Sequence, residues 1–287
     1  MTIRVLVTGA SGLLGSSLLP YLKHHGYDVL GIGLTGKSDI CGDLTNYHWT
    51  FNILNKFAPD IIINLAALTN IEECESNPNL AYLKNVLIIE NLAEAIIKAG
   101  LPCHIIQIST DHVYDGEGPH KEDTVTLLNT YAFSKYAAEL ALKHVPATIL
   151  RTNFFGRSHI STRLSLSDWI VMSLSQGVPI RVFSDVFFSP LSIQSLIKYI
   201  SCVLDIKPVG TFNLGSSLGM SKADFAYKIA KMFNFSDSLI TKCSISDIKQ
   251  LARRPNDMRM CNELFQKVCA LRLPTLEEEI HSIKKYY

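Results

Sequence analysis

This chain has no apolar run long enough to span a bilayer, no block of like charges and no paired cysteines. A membrane-spanning helix needs about 20 consecutive apolar residues, so no membrane partner is expected. With 27 basic and 26 acidic residues the formal charge is +1. That balance lacks the basic footprint a polynucleotide requires, and no nucleic-acid partner is expected. The seven cysteines are odd in number, scattered and never spaced C-x-x-C. This excludes a disulfide framework and points to reduced thiols. No histidine stands at ligand spacing from cysteine or carboxylate, so no protein-made catalytic metal site is expected. Internal repeats and low-complexity linkers are absent. The opening stretch, MTIRVLVTGASG, leads straight into a strand and a glycine turn, from which no signal peptide and a cytoplasmic location are expected.

What is present is a chain of 287 residues, 47% hydrophobic and 18% charged, enough to bury a large core. Apolar runs at 3–7, 27–33, 60–67, 103–109 and 147–151 lack two-residue alternation and read as buried parallel strands. Helical stretches lie between them, near 12–25, 45–57, 78–99 and 129–144, with Pro20 set to kink the first. Strand then helix, repeated, predicts an α/β fold: a doubly wound, Rossmann-type parallel sheet with right-handed crossovers. After residue 151 the regularity falls away. The expected division is a dinucleotide-binding domain over 1–155, with part of 181–206 returning to it. A smaller C-terminal substrate lobe takes most of 156–287.

The stretch TGASGLLG follows the first strand and opens the first helix. In that context Gly9 permits the tight turn, Gly12 admits a pyrophosphate and Gly15 lets the helix pack against the sheet. Ser11 and Leu13 belong to the same turn, and the helix N-terminus offers unpaired N–H groups to the phosphates. An NAD site places an acid at the end of the second strand. Positions 33–38 here hold none, and Thr35, Lys37 and Ser38 suit a 2′-phosphate. NADP(H) is therefore expected ahead of NAD(H), with Asp39 keeping the second open.

Tyr131 and Lys135, in NTYAFSKYAAEL, are spaced Y-x-x-x-K. With eleven tyrosines and eighteen lysines, roughly two-thirds of one such match arises by chance, and Tyr227 with Lys231 supplies a second. Position separates them. Tyr131 and Lys135 share one face of the helix after the fourth strand. Thr110 ends that strand, where open α/β sheets place their chemistry, and Asn85 lies in the preceding helix.

The GxxGxxG spacing, NLAA at 64–67, Asn85, Ser109-Thr110 and the Tyr131/Lys135 pair resemble the extended short-chain dehydrogenase/reductases. The resemblance implies that Tyr131 is the catalytic acid or base. Lys135 would hold the nicotinamide ribose and lower the tyrosine pKa, Thr110 would polarise the carbonyl, and Asn85 would support a proton relay. It also implies that Asp43, Leu44, Ala66, Ala67 and Thr69 line the dinucleotide, with Tyr131 and Lys135.

AALTNIEECESNP (66–78), ISTDHVYDG (108–116), LNTYAFSK (128–135), ILRTNFFG (149–156), FSDVFFSPLS (183–192) and RPNDMRMCNELF (254–265) are similar to dTDP-4-dehydrorhamnose reductases and related nucleotide-sugar reductases. That likeness implies NADPH-dependent reduction of the C4 ketone of a nucleotide-linked 4-keto-6-deoxyhexose, in surface-polysaccharide sugar biosynthesis. His112 stands where related dehydratases carry an acid and where rhamnose reductases carry tyrosine, which argues against dehydration. It reads either as an added acid or as a neutral hydrogen-bonding histidine. Asp111, His112, Asn153, Arg157 and Arg254 are the expected substrate contacts, the arginines serving a diphosphate. Glu277, Glu278 and Glu279 read as an exposed helix face. A homodimer is compatible with this reading. The alternatives are a reductase of another nucleotide-linked ketosugar, or a non-catalytic NADP-binding regulatory subunit like the β subunit of methionine adenosyltransferase.

Overall fold

The computed structural model describes residues 2–34, 38–160 and 163–287. Its strands are β1 (Arg4–Thr8), β2 (Asp28–Gly33), β3 (Ile40–Cys41), β4 (Ile61–Asn64), β5 (His104–Thr110), β6 (Ala147–Thr152), β7 (Phe154–Phe155), β8 (Ile180–Phe183), β9 (Phe187–Phe188), β10 (Leu191–Ser192), β11 (Gly210–Leu214), β12 (Met220–Ser221) and β13 (Ile240–Cys243). The helices are α1 (Gly15–His24), α2 (Tyr47–Phe57), α3 (Ile71–Ser76), α4 (Pro78–Ala81), α5 (Ile88–Ala99), α6 (Thr130–Leu140), α7 (Leu166–Ser175), α8 (Ile193–Ile206), α9 (Lys222–Phe233), α10 (Glu263–Cys269) and α11 (Leu276–Ser282). None among the described residues is long and apolar enough to cross a membrane.

Seven strands form one parallel sheet in the order β11-β6-β5-β4-β1-β2-β3. The order reverses between β1 and β4, the switch point where such sheets place a ligand crevice. All five expected strands are in the sheet. Two more strands form the edges: β3 is only two residues long, and β11, GTFNL, holds two apolar side chains and so makes no continuous apolar run.

The chain forms two compact units. The first comprises Met1–Thr110, Asn129–Leu150 and Ser201–Thr211; the second comprises Asp111–Leu128, Arg151–Ile200 and Phe212–Tyr287. In the first, β4 and β5 are buried along their full length. Leu6, Ile62 and Ile105 pack with Ile89, Leu92 and Ile96 of α5, each such side chain contributing about 1.5–3 kcal/mol. Gly100 takes a left-handed conformation at φ 61° and stops that helix. The single helix expected over 78–99 is instead α4, a π-helical turn (Tyr82–Leu87) and α5. α1 starts at Gly15, later than expected, because residues 9–14 form the turn, and it continues through Pro20 to His24. α6 ends at Leu140, short of 144.

The second unit is built on a different core. Phe225 of α9 makes edge-on contacts with Phe155 at 4.9 Å and Phe188 at 5.3 Å. Capping boxes, Ser165 with Asp168 and Thr275 with Glu278, start α7 and α11. The exposed-face reading of the glutamates fails at one of three. Glu277 pairs with exposed Lys228 at 2.7 Å, but Glu279 is 2% exposed. Its carboxylate accepts from Ser192 N at 2.5 Å and Ser195 Oγ at 2.6 Å, at the start of α8. The helical period turns the third glutamate inward.

Candidate functional site

At the switch point the turn after β1 lies close against the backbone that follows β4. Gly9 sits at φ 64°, and a Cβ there would stand 2.8 Å from Ala66 N. A Cβ on Gly15 would lie 2.5 Å from Gly9 O. Both positions are closed to any other residue. Gly12 differs: its N–H bonds Gly9 O at 2.9 Å, and among the described residues a Cβ would meet only that oxygen, at 3.1 Å. Among the described residues nothing else stands over the turn there, while Leu13 O accepts from Ser16 Oγ at 3.2 Å.

At the tip of β2, a Cβ on Gly33 would be 2.7 Å from Ser38 Oγ and 3.1 Å from Ser11 Oγ. The two hydroxyls therefore flank one glycine. Thr35 and Lys37, expected at the 2′-phosphate, lie outside the described residues. Asp39 accepts from Lys23 Nζ at 2.8 Å and from Gly31 N at 2.9 Å. Burial would raise its pKa, yet those bonds hold the carboxyl below the usual carboxylate range. Asp39 is thus committed to β2 and α1. A cradle closed by Gly9 and Gly15, open over Gly12 and flanked by hydroxyls fits the phosphate end of a dinucleotide.

The loop after β4 is held at both ends. Thr8 Oγ1 accepts from Leu65 N and Ala66 N, each at 3.2 Å, and donates to Asn64 Oδ1. Asn64 continues the chain to Gln107 Oε1 at 2.9 Å. Further along, Leu68 N donates to Asn85 Oδ1 at 2.7 Å while Asn85 Nδ2 donates to Leu68 O at 3.1 Å. Ala67 and exposed Thr69 flank that clasp. Near α2, Asp43 accepts from Thr45 N at 3.0 Å. Burial works against it, but Thr45 and the Lys84 charge hold its carboxyl below the ordinary range. Leu44 O accepts from Asn91 Nδ2 at 2.8 Å.

β5 and α6 carry the remaining candidates of this unit. Asn129 caps α6 by accepting from Ala132 N at 2.9 Å, and Thr130 N donates to Glu75 at 2.9 Å. Asn85, in the π-helical turn, donates to Ser134 Oγ at 2.8 Å. π-Helical turns recur at functional sites. Lys135 Nζ donates to Ile108 O at 2.7 Å. Burial brings the Lys135 ammonium down to about 8, against the opposing pull of Glu139 and Cys74. Tyr131, one turn earlier on the same face, is 8% exposed and packs beside Cys74 and Ala81. Thr110, two residues beyond Ile108, is 4% exposed.

Further residues complete this layer. Ser109 Oγ donates to Glu139 Oε1 at 2.5 Å, Ser134 Oγ to Tyr131 O at 2.8 Å, and Asn91 fastens Leu44. Ser109 stands in the Ser109-Thr110 pair already noted; nothing local marked Glu139, Ser134 or Asn91.

In the second unit Asn153 Nδ2 donates to Asp111 Oδ2 at 2.7 Å. Half-buried His112 is pushed down to about 3 by burial and by the charges of Lys222 and Arg254. It is therefore neutral near pH 7. Lys222 was missed: burial lowers its pKa, Asp111 raises it and Arg254 lowers it. Four of the five expected substrate residues thus gather with Lys222. Arg157 donates to Tyr286 O at 2.7 Å and lines a separate cavity of about 350 Å³ with His159 and Gln194. Other arginines are consumed by structure. Arg151 donates to Tyr114 OH at 2.8 Å and Glu122 O at 2.7 Å, and Arg259 pairs with Asp257 at 2.6 Å. The second Tyr-x-x-x-Lys match packs: Tyr227 OH donates to Ile240 O at 3.1 Å. Among the described residues no three His, Cys, Asp or Glu side chains lie close enough to hold a metal ion.

The family described as RmlD substrate binding domain matches residues 3–287. A probable low-salt glycan biosynthesis reductase of Haloferax volcanii is 29% identical, covering 97% of this chain and 96% of its own. Methionine adenosyltransferase 2 subunit beta of Xenopus laevis is 27% identical over 94% of this chain and 84% of its own. Among solved structures, dTDP-4-dehydrorhamnose reductase of Bacillus anthracis in complex with NADP superposes with a TM-score of 0.91. It is 26% identical, and each chain is covered fully.

Proposed function

Because this chain belongs to the family of RmlD substrate-binding domains, extended short-chain dehydrogenase/reductases that draw on NAD(P)H, we propose that it reduces the C4 ketone of a nucleotide-diphosphate 4-keto-6-deoxyhexose, using NADPH. The observation that carries the reading is the fastening of Lys135 to Ile108 O at 2.7 Å. It ties the lysine to β5 two residues before Thr110, with Tyr131 one turn earlier on α6. The preference for NADPH rests on Ser11 and Ser38 at the tip of β2 and on the commitment of Asp39 to Lys23 and Gly31.

A bound nicotinamide supplies the hydride. The chain's own residues do the rest. The Thr110 hydroxyl donates to the ketone oxygen and polarises it. The Tyr131 hydroxyl donates a second hydrogen bond and delivers its proton as the oxygen becomes an alkoxide. Lys135, charged below a pH of about 8, stabilises the tyrosinate left behind. Asn85 has both amide hydrogens engaged, by Leu68 O and Ser134 Oγ, so its part is to position the loop after β4 and α6. Arg254 and Lys222 neutralise the diphosphate, and Asp111, Asn153 and neutral His112 hydrogen-bond the sugar. Arg157, which donates to Tyr286 O and lines a separate cavity, has no part in this scheme.

The test is NADPH oxidation against a panel of nucleotide-linked 4-ketosugars, with a 4-keto-6-deoxyhexose diphosphate nucleotide turned over fastest. Preference for another ketosugar would transfer the assignment to that substrate. The likeness to the Xenopus subunit supports a second reading, an NADP-binding regulatory subunit. Tight NADPH binding with no turnover and capture of a partner enzyme is its signature.

A further inference from the structure

We propose that Glu139 is the positioning residue for Lys135: its carboxylate, anchored by Ser109, keeps that lysine charged in a place the fold has closed to water. The catalytic consequence rests on the reductase reading; the pairing itself does not. Lys135 and Glu139 are one helical turn apart on α6 and so share a face. Both are nearly enclosed, at 4% and 5% exposure. Their head groups meet consecutive residues of β5, Lys135 Nζ on Ile108 O at 2.7 Å and Glu139 Oε1 on Ser109 Oγ at 2.5 Å.

An ammonium in such a place loses hydration that one carbonyl does not replace, and it sheds its proton unless a negative charge compensates. Two groups besides burial act on Lys135: Glu139 from its own helix and the Cys74 thiol from α3. Burial and the charges of Glu73 and Glu75 push Cys74 up to about 11, so the thiol is neutral at working pH. The compensating charge is left to Glu139. The Ser109 hydroxyl fixes where that charge sits, and β5 thereby sets the geometry of both partners. Glu139 touches no reacting atom. It acts through Lys135, and through Lys135 on the proton of Tyr131.

The experiment is an NMR titration of the full chain carrying isotope-labelled lysine, without added cofactor, with the Lys135 signal assigned from its loss in Lys135→Arg. Glu139→Gln keeps the shape and an acceptor for Ser109 while removing the charge. The Lys135 midpoint, about 8 in the unaltered chain, is expected to fall by about one pH unit or more. Glu139→Asp, which retains the charge but retracts it, gives a smaller fall. The alkaline limit of ketosugar turnover moves with the midpoint in each variant. A natively folded Glu139→Gln with an unmoved Lys135 midpoint overturns the proposal. Where Glu139→Gln does not fold, an unmoved midpoint in Glu139→Asp overturns it instead. A lowered midpoint in a chain that reduces no ketosugar upholds the pairing and defeats the reductase reading.

Discussion

Asn85 and Ser134 are joined by a hydrogen bond of 2.8 Å that runs from a π-helical turn to the helix bearing Tyr131 and Lys135. Ser134 Oγ also donates to Tyr131 O, so the asparagine reaches the tyrosine through one hydroxyl. Asn85→Ala strips partners from Leu68 N and Leu68 O as well. Buried groups left in that state cost about 1–3 kcal/mol. Urea unfolding is expected to show a loss of that size, and an unchanged midpoint would contradict the positioning role.

Gly12 and Gly15 separate binding from folding. Gly12→Asp adds bulk and negative charge over the turn, yet among the described residues its Cβ meets only Gly9 O at 3.1 Å. It should abolish NADPH binding in a calorimeter and leave the unfolding temperature close to that of the unaltered chain. Gly15→Ala, whose Cβ would lie 2.5 Å from Gly9 O, should lower both. Retained affinity in Gly12→Asp would remove Gly12 from the cofactor site, and tighter binding of NADH than NADPH would overturn the cofactor preference.

The two Tyr-x-x-x-Lys matches part company in kinetics. Tyr131→Phe is expected to lose about 10²-fold or more in turnover with NADPH affinity retained, since only proton donation is removed. Tyr227→Phe gives up a hydrogen bond to Ile240 O and should cost some stability with little change in kcat. Comparable kinetic defects at the two positions would mean that the catalytic pair is misassigned.

How far these residues could be read beforehand depended on the range of the interaction that places them. The five central strands were plain because each is a continuous apolar run. β11 was not, because GTFNL interrupts its two apolar residues with glycine, threonine and asparagine and joins the sheet only through its neighbour in space. Tyr131 and Lys135 were legible from their place after β5. Glu139 was not: a glutamate in KYAAEL reads as solvent-facing, and its anchor lies thirty residues away at Ser109. Lys222 was passed over for the same reason, since its companions Asp111 and Arg254 are brought to it only by the fold of the second unit. Glu279 was misread because three glutamates in a row look alike until the helix turns one toward Ser192.

Lys135 also leaves a mark on stability. Its folded value of about 8 lies below the ordinary 10.5, so between those limits the unfolded chain holds a proton the folded chain has released. Stability through this group therefore rises with pH across that window, and the penalty of the buried charge is fully present below it. Against Lys135→Met, the unaltered chain should gain about 1–2 kcal/mol between pH 7.5 and 9.5. Urea unfolding at the two pH values measures it, and a difference independent of pH would contradict the lowered value.

The most direct measurement is the fate of deuterium carried on C4 of the NADPH nicotinamide. Incubated with this chain and a nucleotide-linked 4-keto-6-deoxyhexose, the label is expected at C4 of the product sugar, read by mass and NMR, and the transfer should fall sharply in Tyr131→Phe. NADPH bound tightly, with no label passed to any ketosugar of the panel, would contradict the account and leave the regulatory-subunit reading in its place.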